Sequence, residues 1–195
     1  MIISQVIELD QPIDSVWNFF GDLAQVAPCI PGANLNDKMP DGSYQGDVII
    51  SAGPVKLEFA GVAKIISRDQ TKRVTVIDAK GADKKGRGNA DALLTINLAS
   101  LGGGTKATIA LDLQVSGAAA QYGRGLINDV TAVLVNQTAS SAQARIKAIS
   151  LGLDPNSVAG PKAASGLAIG LNAFSRAAVR VFGRFFFPYK PLQRR

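Results

Sequence analysis

Three aspartates near the start of the chain, Asp10, Asp14 and Asp22, are the first residues whose chemistry invites attention. A close pair of carboxylates can divide general-acid and general-base work. Their placement argues against that: Asp10 ends a predicted strand, and Asp14 and Asp22 stand where helices start, so capping is the favoured role. The sequence holds no histidine. That removes the commonest general base, the commonest metal ligand and every His-containing triad. Cys29, the single cysteine, precedes a proline turn in an apolar stretch. A reactive thiol wants an exposed, electropositive setting, so Cys29 reads as structural. Gly102 to Gly104 read as a hairpin turn rather than a phosphate cradle. Gly86 and Gly88, in "KKGRG", read as a solvated loop rather than an anion site. No catalytic residue and no metal ligands emerge, and the expectation is a protein that is not an enzyme and holds no metal or covalent cofactor.

The remaining chemistry is that of surfaces, and charge locates it. Met1 to Ser150 carry 14 Lys+Arg and 14 Asp+Glu, whereas the rest carries seven basic residues against Asp154 alone. The net charge of +6 therefore belongs to the C-terminal segment. A neutral body with a basic tail points to a tether rather than to a nucleic-acid surface. Five of the eight phenylalanines also lie between Phe174 and Arg195. On a wheel of about 100° per residue, Leu167, Leu171, Phe174, Ala178, Val181, Phe182, Phe185 and Phe186 share one face. Arg176, Arg180 and Arg184 take the opposite face, with Ile169 and Phe187 as exceptions on the polar side. Three arginines disfavour a bilayer-spanning helix, at about 2.5–3.5 kcal/mol each near its centre. The expectation is an interfacial amphipathic helix on the membrane surface; the competing reading is a helix that docks in a partner's groove. The lone cysteine fits a reducing compartment, and the N-terminus has neither a basic n-region nor a long apolar run. The body is therefore expected to be cytoplasmic, held peripherally at the inner face of the cell membrane.

The body's elements follow from periodicity. "IISQVIELDQP" predicts a strand with Ile7 and Leu9 on one face. "PIDSVWNFFGDLAQVAP" predicts two short helices interrupted at Gly21–Asp22, and "CIPG" a turn. From Ala33 to Ser116 the apolar period is two, broken at "PDGS", "SAGP", "RDQTK", "KKGRG" and "LGGGT", which predicts an antiparallel meander. Ala118 to Ser150 predicts a long helix with Leu126, Ile127, Val130, Val133 and Leu134 along one stripe. The fold class is α+β: a curved antiparallel sheet gripping a long helix, plus the amphipathic tail helix. The predicted organisation is a body over 1–150, a flexible Pro/Gly linker over 151–166, and a basic tail over 167–195.

The inward row of Val48, Ile50, Leu57, Phe59, Leu94, Ile96, Ile109, Leu111 and Leu113 faces the helix stripe. This row is either a packed core or the wall of an apolar hole, and the small inward residues Gly46, Gly61, Ala63, Ala90, Ala92 and Ala107, which leave volume to be filled, favour the hole. The expected ligand-binding residues are Trp17, Phe20, Ile50, Leu57, Phe59, Leu94, Ile96, Ile109, Leu111, Tyr122, Leu126, Ile127, Val130 and Leu134. Trp17 and Tyr122 are either its polar contacts or core-edge residues. The expected membrane-binding residues are Leu167, Leu171, Phe174, Arg176, Arg180, Val181, Phe182, Arg184, Phe185 and Phe186.

"PIDSVWNFFGDLAQVAPCIPG", "GPVKLEFAG", "GGGTKATIALDLQVSG" and "AAQYGRGLI" together resemble the carbon monoxide dehydrogenase G-subunit family of the START-like, or helix-grip, superfamily. The charged "DKKGRGNAD" departs from that pattern. The resemblance implies a non-catalytic accessory protein of aerobic carbon monoxide dehydrogenase and related molybdenum hydroxylases, linked to membrane attachment of the enzyme. It also implies an apolar ligand between sheet and helix, and the redox context makes a quinone, or another lipid, the expected molecule. The alternatives carried beside it are a ligand-free assembly factor whose tail binds the enzyme, and an enzyme of the cyclase or hydrolase type.

Overall fold

The computed structural model describes residues 1–52, 55–158 and 160. The chain forms β1 (Ile2–Leu9), α1 (Ile13–Phe20), α2 (Leu23–Val26), a 3-10 turn (Ala27–Cys29), β2 (Ala33–Lys38), β3 (Tyr44–Ala52), β4 (Val55–Asp69), β5 (Val74–Asp83), β6 (Asn89–Leu101) and β7 (Gly104–Val115). A second 3-10 turn (Gly117–Tyr122) leads into α3 (Gly123–Ser150). The seven strands make one antiparallel sheet in the order β1-β7-β6-β5-β4-β3-β2. This is the α+β helix-grip architecture that the alternation and the long apolar helix predict. Two details differ. The short edge strand β2 is not legible by itself, because most of its side chains are exposed and show no sustained apolar period. The helix expected from Ala118 starts instead at Gly123, whose φ of 73° closes the preceding 3-10 turn.

The packed core lies toward one end of the inner face. Ile7, Leu9, Ile77, Ile96, Leu98, Ala107 and Ile109 meet Val16, Trp17, Phe19 and Phe20 of α1 and Ala139, Ala142 and Ile146 of α3. Two arginines fix α1 there. Arg68 donates from Nη2 to the Trp17 carbonyl at 2.8 Å and stacks its guanidinium 4.4 Å from the Trp17 ring centre. Arg73 approaches the same ring and pairs with Asp14. Asp22 caps α2 by accepting from the Ala24 amide, and Asp10 exchanges hydrogen bonds with Gln143 of α3. The three aspartates thus serve three separate structural contacts.

Beyond α3 the chain turns back. Gly152 takes a φ of 70°, and the Leu153 amide donates to the Ala148 carbonyl. A last 3-10 turn (Pro155–Ser157) is pinned by buried Arg145, which donates to Asn156 Oδ1 at 3.1 Å. Gly160 runs beside the Pro28 carbonyl. Residues 161–195, which hold the remainder of the expected linker and the whole expected tail, lie outside the described residues.

The β5–β6 hairpin is tied to β4 by Asp83, whose side chain is only 1% exposed. Its carboxylate accepts from Arg87 Nε at 2.9 Å and Nη2 at 2.7 Å, and from the Lys85 amide at 2.9 Å. Arg87 also donates to the Lys56 carbonyl. The Arg87 guanidinium, aided by backbone amides and opposed by burial, holds the Asp83 carboxyl well below the usual carboxylate range. A folded pKa below the unfolded one stabilises the fold above the unfolded value of about 3.9 and ceases to as pH falls through the folded value. Asp83→Asn is therefore expected to lower the melting temperature at pH 7. The gap to the unsubstituted protein should shrink as thermal melts are taken from about pH 4 downward.

A second stability test comes from Gly61. A Cβ there would sit 1.8 Å from the Lys80 carbonyl oxygen of β5, a backbone atom that cannot swing aside. Gly61→Ala should cost at least the roughly 1–3 kcal/mol of overpacking, read by urea denaturation. An unchanged midpoint would show that the sheet does not need this close approach.

Candidate functional site

Strand register sets two rows of small residues side by side on the inner face. Gly46, Gly61, Gly81 and Ala90 are successive neighbours across β3, β4, β5 and β6. Two residues further along each strand, Ala63, Ala79 and Ala92 form a second row between Tyr44 and Leu113. The first row crosses three inter-strand steps, roughly 14 Å at about 4.8 Å each. Over that area the sheet presents backbone and methyl groups where a packed core would present Leu or Ile. The helix above does not fill the space, and a cavity of about 400 Å³ results.

Each wall comes from a different element. Val48, Ile50, Leu57, Phe59 and Val115 close the end nearest the β3–β4 and β5–β6 hairpins. Leu23, Val26, Ala27 and Ile30 of α2 and its 3-10 turn, with Ala33 and Leu35 of β2, close the side at the sheet edge. Leu126, Ile127, Val130, Thr131 and Leu134 of α3 form the roof. The lining is almost wholly apolar. Of the polar residues that border it, Asn34 donates to Asn36, Asp47 pairs with Lys84 at 3.7 Å, and Lys80 pairs with Asp78 at 3.5 Å. Tyr44 and Thr131 remain, and neither hydroxyl has a hydrogen-bond partner among the described residues.

Of the residues expected to bind ligand, Ile50, Leu57, Phe59, Leu126, Ile127, Val130 and Leu134 come together around this cavity. Trp17, Phe20, Ile96 and Ile109 do not: they belong to the packed core. Leu94 packs against that core, and Leu111 stands opposite Leu94 on the inner face, outside the cavity lining. The difference in position has a simple cause. Period-two alternation marks the inner face but not position along it, and these residues lie on the α1-covered part. Ala107 is likewise core. Tyr122 falls in the 3-10 turn before α3, and its side chain lies outside the described residues, as do all the expected membrane-binding residues. The alternation reading passed over Ala79, Gly81, Tyr44 and the α2 wall. The signal for Gly81 and Ala79 was present in "DAKGAD", where small residues alternate, but only register aligns them with Gly61 and Ala63.

Cys29 is fully buried, and its thiol donates to the Gln25 carbonyl at 3.8 Å. Burial pushes the thiol pKa up, and Ser141 and Arg145 counter that in part. No group of His, Cys, Asp or Glu among the described residues is arranged to hold a metal. No helix among them is long and apolar enough to cross a membrane.

Solved structures share this fold at low identity. A conserved protein from Geobacillus kaustophilus aligns with a TM-score of 0.67 at 21% identity, covering 75% of this chain and 95% of its own. A START superfamily protein from Mycobacterium smegmatis aligns at 0.52 and 14%, covering 76% and 98%. The Zhui aromatase/cyclase from Streptomyces sp. R1128 aligns at 0.52 and 14%, covering 76% and 97%. At these identities the likeness establishes a START-like fold and nothing further. No curated protein matches the chain by sequence. The family model for the carbon monoxide dehydrogenase G-subunit (CoxG) does match, over residues 6–147, which span the sheet, the cavity and nearly all of α3. The chain belongs to the carbon monoxide dehydrogenase CoxG family.

Proposed function

We propose that this protein is a non-catalytic accessory subunit that carries a hydrophobic molecule, a respiratory quinone, between the sheet and α3. In this reading its basic C-terminal segment holds a carbon monoxide dehydrogenase-type molybdenum hydroxylase at the membrane and links the enzyme to the quinone pool. The observation that carries the reading is the 400 Å³ cavity, floored by glycine and alanine and roofed by aliphatic residues of α3. An empty apolar space of this size forfeits dispersion contacts along its whole lining. A bound apolar molecule restores them, and 400 Å³ is within the usual range for small-molecule sites. The family's description as a dehydrogenase subunit supports the partner. The separate engagement of Asp10, Asp14 and Asp22 supports a binding role over catalysis, although an aromatase/cyclase shares the fold. For the tail, the support is its sequence: arginines opposite phenylalanines, with no acidic residue from Gly166 onward.

Solvent extraction and mass spectrometry of the natively purified full chain should find a quinone in about equimolar amount. Ala92→Phe, which places a ring on the cavity floor, should abolish that co-purification while the protein still melts cooperatively. A lipid-free native protein would favour the assembly-factor reading instead. For the tether, the full chain should co-sediment with vesicles containing phosphatidylglycerol. The triple change Arg176→Glu, Arg180→Glu and Arg184→Glu should weaken this by about a hundredfold or more, at about 1 kcal/mol per charge removed. Equal sedimentation of both proteins would rule out a membrane tether of this kind.

A further inference from the structure

The identity of the polar groups in the cavity constrains the ligand more tightly than its volume does. Among the described residues, every charged side chain that borders the cavity is engaged away from it: Asp47 with Lys84 and Lys80 with Asp78, both on strand positions that alternate with the inward rows. An anionic head group entering this lining would therefore lose its hydration without gaining a counter-charge, which is costly in an apolar site. A purely hydrocarbon ligand would leave two hydroxyls, Tyr44 and Thr131, without partners on the lining. Tyr44 stands at the end of the alanine row, opposite Ala63 across β3 and β4. Its ring packs on the core, and the Lys38 ammonium lies over it, 5.5 Å from the ring centre. Thr131 is carried on the α3 roof between Val130 and the turn that supplies Leu134.

We propose that Tyr44 and Thr131 are the specificity-determining residues of this cavity, and that they select an uncharged amphiphile with an acceptor oxygen, such as a ketone or quinone carbonyl, over fatty acids and phospholipids. The phenol donates to that oxygen, Thr131 supplies a second hydroxyl, and the glycine and alanine rows leave room for the apolar remainder. This rests on the cavity being a ligand site, and it adds which chemical class the site accepts.

Three naphthalene derivatives of matched shape test it: 2-acetylnaphthalene (ketone), 2-ethylnaphthalene (hydrocarbon) and 2-naphthoate (anion). Each competes for the delipidated full chain against the fluorophore N-phenyl-1-naphthylamine. In the unsubstituted protein, 2-naphthoate should bind at least about tenfold more weakly than the ketone. Tyr44→Phe and Thr131→Val should each weaken ketone binding by about 3- to 10-fold and leave the hydrocarbon within about twofold. A loss in either variant supports the assignment, and Thr131→Val serves if Tyr44→Phe does not fold. Unchanged ketone binding in both variants, or naphthoate binding as tight as the ketone's, overturns it. Failure of 2-ethylnaphthalene to displace the fluorophore overturns the ligand-cavity reading itself.

Discussion

The close approach of β4 to β5 at Gly61 is the constraint on which the rest of this structure turns. No side chain fits there, because the Lys80 carbonyl occupies the place a Cβ would take. Gly46 is similarly crowded by the Asn34 carbonyl, and Gly81 would press a Cβ against Phe59. These positions are register neighbours, so the tight, curved part of the sheet is also the part without side chains. Curvature and hollowness thus have one cause. A sheet bent in this way cannot fill its own concave face, and α3 lies across the resulting gap.

The two ends of the inner face are therefore built differently. At one end, Trp17 is gripped by Arg68 and Arg73, and the aromatic residues of α1 pack on Ile96, Leu98 and Ile109. At the other, Leu57 and Phe59 form a small separate cluster with Val48, Ile50, Ala90 and Val115, beside the Asp83–Arg87 pair, Asp83 being the register partner of Phe59. Between them lies the cavity. The cavity floor is lined by glycine and alanine, whereas the α1 end is filled by aromatic and aliphatic side chains. α3 joins both regimes: its first turns roof the cavity, and Ala139, Ala142 and Ile146 seal the core.

Much of this was readable from the chain. Strict alternation in "VKLEFAGVAKII" and "TKATIALDLQVS" marks strands and their faces, and the stripe from Leu126 to Leu134 marks the roof. The charge count separates body from tail without any structure. What the pattern does not resolve is position along the inner face: Leu94, Ile96, Ile109 and Leu111, expected to bind ligand, lie outside the cavity lining. A leucine two residues from Ala92 looks the same in a pattern as one that lines a wall. The α2 wall failed to show for a different reason: Leu23, Val26 and Ile30 border the cavity together with Leu126 to Leu134 of α3, far later in the chain, and no local signal reports such packing.

By itself the sequence determined which residues face inward, because side-chain direction follows from a period of two or of 3.6 and needs no neighbour. It also determined that the positive charge and most phenylalanines belong to the end of the chain, since composition is local. Only the tertiary structure decided that Gly46, Gly61, Gly81 and Ala90 form one row, because strand register is a relation between segments. It likewise decided that Tyr44 and Thr131, 87 positions apart, border the same apolar space. A hollow is a property of what several elements jointly leave unfilled, and no single stretch of sequence encodes it.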